Sequence, residues 1–199
     1  MTLPGAPATA PRAVELLDRA VGYARGCLAG VTEADLARPT PCAQWDLRDL
    51  LVHMDDSLAA LAEAAGATRL ALAPVPGHGE ADVLLTSVRQ RACSLVARWV
   101  PAQDGPVALG HAWLAREVLG AVGALEITLH AWDVAQSLGA DLPVPAGLAL
   151  DLWPTARDHI TDADRPGRFG EPPAVPWSAS PQAHLLARAG RREAAALSR

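Results

Sequence analysis

The sequence predicts an all-α protein, a four-helix bundle with extra short helices near its C-terminal end. Three observations carry that expectation. Apolar residues recur at three- and four-residue spacing through four long stretches. Cap residues, glycines and prolines bracket those stretches. The connections between them are modest, as bundles require.

Residues 1–10 are rich in Pro and small side chains and predict a flexible N-terminus, with 11–199 forming one domain. Thr9 is a cap for a helix that carries Pro11 in its first turn and runs to about Ala29. Its stripe is Val14, Leu17, Val21, Ala24 and Leu28. Thr32-x-x-Asp35 marks a short helical turn in the connection that follows. Asp46 caps the second helix, with Asp49 three residues on as its reciprocal partner, and Leu47, Leu50, Leu51, Met54, Leu58 and Leu61 face inward. Gly66 to Gly79, with Pro74, Pro76, Gly77 and His78, reads as a loop.

A third helix is expected over about 80–100, with Val83, Leu84, Val88, Leu95, Val96 and Trp99 as its stripe and Pro101 as its stop. Residues 106–111 suit a short extended segment. The fourth helix runs from about Ala115 to Leu138 and ends at Gly139. Pro145 starts a fifth, carrying Leu148, Leu150, Leu152 and Trp153. An irregular stretch follows, and then a last short helix around Pro181–Ala189.

Composition narrows the function. Half of the 199 residues are hydrophobic, enough for a sizeable core. The net charge of −5, with no basic block, argues against a nucleic-acid or anionic-membrane partner. Cys27, Cys42 and Cys93 are odd in number and widely spaced, so they build neither a CxxC pair nor a disulfide framework. No signal-peptide pattern opens the chain, and no apolar run is read as membrane-spanning. A soluble, cytoplasmic protein acting on a small molecule is the expectation, and a homodimer is compatible with it.

The chemistry concentrates in Leu125-Glu126-Ile127-Thr128-Leu129-His130-Ala131-Trp132-Asp133. Residues four apart stack on one helix face, so Glu126 and His130 project side by side. A carboxylate amid Val118, Leu119, Val122, Leu125 and Leu129 is costly to bury without a partner. His53, in the apolar second helix, is the best third donor. Two histidines and one carboxylate can hold one divalent cation and leave positions open; zinc comes first, with nickel, iron or manganese compatible. Asp49 and Asp133 are candidates to back the ligands, although helix capping explains Asp49 better. Trp45 and Trp132 flank the ligand segments and are expected to pack around the site. Cys42 is a candidate ligand or nucleophile, with a small buried side chain as the blander reading. His111 is a candidate at the pocket mouth. GxSxG, GxxxxGK, Rossmann glycine and HExxH patterns do not occur.

The segment Pro39-Thr40-Pro41-Cys42-Ala43-Gln44-Trp45 through Asp49-Leu50-Leu51-Val52-His53 resembles a signature of an actinobacterial family. Glu126-x-x-x-His130-x-Trp132-Asp133-x-Ala135 resembles a second, and Phe169-Gly170 through Gly190-Arg191 is similar to the usual ending. The family is the mycothiol-dependent maleylpyruvate isomerase-like branch of the DinB-like metal-binding bundles. The resemblance implies a DinB-like four-helix bundle in which His53, Glu126 and His130 hold one divalent metal, usually zinc. It also implies use of mycothiol as a cosubstrate; Arg191 is a candidate to help bind an acidic substrate or the thiol, with an exposed arginine in a frayed tail as the equal alternative. The full isomerase carries a further C-terminal α/β domain for which this sequence has no expected counterpart.

The expected function is therefore a metal-dependent isomerase or S-transferase using mycothiol on a small electrophile. Two alternatives stay open: a thiol-independent metal-dependent hydrolase, lyase or cyclase of specialised metabolism, and a non-catalytic metal-binding module.

Overall fold

The computed structural model describes residues 13–71, 79–102, 105–165 and 167–193. Its long helices are α1 (Ala13–Ala29), α2 (Leu47–Gly66), α3 (Ala81–Trp99) and α4 (Arg116–Leu138); α5 (Ala146–His159) and the short α6 (Pro181–Arg188) follow. The all-α bundle expected from the sequence is present. The flexible N-terminus at 1–10, the Thr9 cap, Pro11, and the loop residues Pro74, Pro76, Gly77 and His78 lie outside the described residues.

Local chemistry sets the element ends. Asp46 Oδ1 accepts the Asp49 N–H at 2.9 Å and Asp49 Oδ2 accepts the Asp46 N–H at 3.4 Å, a reciprocal cap that starts α2. Thr32 and Asp35 repeat the device around a single 3₁₀ turn, Glu33–Asp35. Gly139, at φ +66°, takes the left-handed conformation that terminates α4.

Helix α1 packs on α4 and α3, and α2 packs on the same two, so α1 and α2 sit diagonally across the bundle. The core is one cluster of Leu, Val and Ala contributed by all four. Gly120 lets α4 approach closely: a Cβ there would lie 2.7 Å from Ala13 Cβ and 2.8 Å from the Trp99 ring. Trp99 buries its ring in this corner and satisfies its indole by donating to the Leu61 carbonyl at 2.9 Å. On the α2–α3 seam, the fully buried Asp55 accepts from Ser87 Oγ and pairs with Arg91 Nε at 3.0 Å.

The short extended segment expected within 106–111 is present as β1 (Pro106–Leu109), and it pairs antiparallel with a strand that was not expected, β2 (Ala112–Ala115), because Gly110 at φ +60° supplies the tight turn. Two other expectations are corrected. Helix α4 is long and apolar enough to cross a membrane by length and composition, contrary to the sequence expectation; 72% of its most apolar window is buried inside the bundle. Val83 and Leu150, placed on core stripes, are exposed.

Beyond α5 the chain is held by arginines bonding backbone. Arg165 donates to the carbonyls of Gly170 and Arg188, and Arg188 to those of Arg157 and Ile160. Gly190, at φ +72°, lies directly against the Gly170 backbone, an approach that leaves no room for a Cβ. The Arg191 N–H then returns to the Leu186 carbonyl at 2.9 Å, which turns the chain back toward α4.

Candidate metal centre

His53, Glu126 and His130 meet across the α2–α4 seam. Glu126 Oε1 lies 2.6 Å from His53 Nε2 and 3.1 Å from His130 Nε2. One donor atom from each falls within 4.8 Å of the others. The imidazoles stand edge to face, with centroids 4.9 Å apart and planes at 80°. The cluster opens toward α2: the His53 side chain is 36% exposed, Glu126 27% and His130 10%. Met54, Ser57, Leu58 and Ile127 line the small cavity beside Glu126 and His130.

Burial pushes the Glu126 carboxyl upward, but the two imidazoles outweigh it and hold the group well below its usual range. Burial likewise depresses His130, and the Glu126 charge with the Asp133 hydrogen bond carries it well above the usual imidazole value. Glu126 and His130 form a tight internal ion pair, and His53 is hydrogen-bonded to the same carboxylate.

Asp133, one turn beyond His130, is wholly buried. Burial raises its carboxyl, yet Arg191 overrides that and keeps it below the ordinary value. Its Oδ2 lies 3.0 Å from His130 Nδ1. An ionised carboxylate can only accept, so Nδ1 donates to Asp133 and Nε2 donates to Glu126, and a cation bound at Nε2 would take the place of that second proton while Asp133 keeps the first in position. Arg191 closes the other side, donating from Nε to Oδ1 at 2.8 Å and from Nη2 to Oδ2 at 2.6 Å. Cys42, half-buried, donates its thiol to Asp133 Oδ2 at 3.4 Å.

Most of the candidates read from the sequence converge here. His53, Glu126, His130, Asp133, Cys42 and Arg191 form one contiguous network, and the Trp45 ring lies 4.8 Å from the His53 ring. Asp49 is taken up by the capping box of α2, accepting the Asp46 N–H. Trp132, two positions past His130, points elsewhere and walls a separate cavity of about 400 Å³ with Gln136, Gln182 and Glu193. His111 sits exposed in the hairpin turn. The Asp133–Arg191 pairing was not read from the sequence; its only signal was that a carboxylate one turn past His130 needs a cation.

The donor set suits a borderline divalent cation: two imidazole nitrogens and a carboxylate oxygen on rigid helices, with a second carboxylate backing one imidazole. Fold and site together define a class, a helical bundle with a His/Glu/His cluster strung between two of its helices. Residues 17–135, more than half of the chain, match the family model described as the mycothiol maleylpyruvate isomerase N-terminal domain, and the chain belongs to that family. Proteins from two strains of Mycobacterium tuberculosis, both described as uncharacterized, are 28% identical over 170 residues, covering 82% of this chain and 89% of theirs. The crystal structure of the mycothiol-dependent maleylpyruvate isomerase shares the fold, with a TM-score of 0.60 at 16% identity, covering 80% of this chain and 72% of that one.

Proposed function

We propose that this protein is a metal-dependent isomerase or S-transferase that uses mycothiol on a small electrophilic substrate. The observation that carries the reading is the convergence of His53 Nε2, Glu126 Oε1 and His130 Nε2 on one point beside an opening to solvent. Three protein donors leave coordination positions for an incoming molecule, as catalytic rather than structural sites do. Zinc is the cation best matched to these donors.

When bound, such a cation supplies Lewis acidity and lowers the pKa of a thiol that reaches it. The chain's own residues do the rest. His53, Glu126 and His130 hold the cation between two helices. Asp133 fixes the His130 ring in the tautomer that ligates. Arg191 neutralises Asp133, so that the carboxylate can orient the imidazole without taking up a proton itself. Trp45 lies against the His53 ring, with centroids 4.8 Å apart, and limits how that ring can turn. A thiol that adds to an unsaturated carbon lets the former double bond rotate before it leaves, giving isomerisation; a thiol that stays gives an S-conjugate.

The test is metal analysis of the purified protein, followed by thermal melts with mycothiol and with S-methyl mycothiol. One equivalent of metal and a melting temperature raised by the free thiol alone are expected. Stoichiometric metal with no shift from either compound would favour the thiol-independent enzyme. Absence of bound metal would overturn both readings.

A further inference from the structure

Behind His130 lies a second set of donors that the proposed reaction does not use as ligands. His130 Nδ1 is 3.0 Å from Asp133 Oδ2, and Cys42 Sγ is 3.4 Å from that same oxygen. All three donor atoms fall within 4.8 Å of one another. A tetrahedral cation with bonds of roughly 2.0–2.3 Å separates its ligands by about 3.2–3.8 Å. The observed spacings therefore need only small adjustments.

The place is already shaped for positive charge. Arg191 Nη2 lies 2.6 Å from Asp133 Oδ2 and 3.9 Å from Cys42 Sγ, and the arginine side chain is only 10% exposed. The guanidinium thus occupies the neighbourhood in which a cation would complete the set. Arginine cannot ligate, so an ion and Arg191 compete for Asp133. Sulfur decides which ion wins, since a thiolate favours soft, thiophilic cations over those that prefer oxygen.

We infer that Cys42, His130 Nδ1 and Asp133 form a second cation site, selective for thiophilic ions such as cadmium, which is entered when Arg191 is displaced. Binding there displaces the thiol proton of Cys42 and the Nδ1 proton of His130 to solvent, and the neutral imidazole left has one lone pair, so His130 serves one site at a time. An ion captured behind the ring takes His130 away from His53 and Glu126 and dismantles the first site.

The experiment is a cadmium titration of the full-length, metal-stripped protein, read by thiolate-to-cadmium charge-transfer absorption. A Cys93→Ser background removes the exposed thiol; Cys27 is buried. One equivalent of cadmium should develop the band. Adding Cys42→Ser should abolish it, whereas Glu126→Gln, which breaks only the first site, should keep it. Arg191→Ala should tighten cadmium binding at least about tenfold, a difference of about 1.4 kcal/mol, because it removes the competitor. Circular dichroism establishes that each variant is folded. A band that never forms, that persists without Cys42, that vanishes with Glu126→Gln, or that gains nothing from a folded Arg191→Ala overturns the inference. If Arg191→Ala does not fold, the comparison of Cys42→Ser with Glu126→Gln decides alone.

Discussion

Arg191 meets Asp133 with two donors, at 2.8 and 2.6 Å, across 58 residues of sequence. The carboxylate it meets is fully buried, which makes this pair different from an ion pair on the surface. Breaking one partner strands the other's charge in a poorly solvated place. Arg191→Gln is therefore expected to cost about 3–5 kcal/mol of folding stability, and adding Asp133→Asn should recover at least half of it. Urea denaturation of the metal-free single and double variants checks this. A loss below about 1 kcal/mol would place the pair with weak surface bridges.

The same network fixes how metal-free stability depends on pH. Asp133 and Glu126 sit below their ordinary values of 3.8 and 4.5, so their contribution is full above those values and is lost as pH falls through the lower folded ones. His130 sits above its ordinary 6.5, so its contribution is full below 6.5 and is lost as pH rises through the raised folded value. Stability of the metal-free protein should peak between 4.5 and 6.5, the ordinary values of Glu126 and His130. Denaturant midpoints measured against pH test the shape. His130→Ala should flatten the alkaline limb.

Proton competition should also govern metal uptake. Because His130 holds its proton above 6.5, apparent zinc affinity should keep rising with pH past the point where an ordinary imidazole has levelled off. Competition titrations against a chromophoric chelator give the slope. A plateau near 6.5 would mean that His130 is not held above its ordinary value.

Removing a ligand should separate binding from folding. Loss of an outer partner of a metal ligand costs roughly 10–100-fold in affinity, so His130→Ala or Glu126→Gln should cost at least as much. Helical circular dichroism should be largely retained, since the bundle core is apolar and independent of these side chains. Full metal content in either variant would contradict the assignment.

Gly190 offers a test of positioning from a distance. Alanine there needs a strained positive φ and would collide with the Gly170 backbone. Gly190→Ala is expected to cost about 1–3 kcal/mol and to loosen Arg191, so that a further Arg191→Gln change costs less than it does in the native background. A double-mutant cycle by urea denaturation reads the coupling.

The bundle was legible because its signals are local. The Asp46–Asp49 cap, Gly139 and the 3-4 stripes each declare themselves within a few residues. His53, Glu126 and His130 were legible for a related reason, since charged or polar side chains stood on otherwise apolar faces. What stayed hidden depends on tertiary geometry. The second hairpin strand, Ala112–Ala115, is four residues of ambiguous pattern. Trp132 shares a segment with the ligands but lies around the helix from them, a matter of angle rather than spacing. Val83 and Leu150 fit helical stripes whose outer edge no neighbour covers. Arg191 could be matched to a family ending, yet only the folded chain shows that its partner is Asp133.

The contact between Gly170 and Gly190 also bears on synthesis order. As the polypeptide emerges, α4 is complete long before residue 191 appears, so the carboxylate at 133 must wait for its countercharge. The Asp133–Arg191 pair can therefore close only after the late segment has been made and has docked against α4. A ribosome stalled before residue 191 would hold an α4 in which Asp133 still lacks the arginine that keeps it charged beside His130.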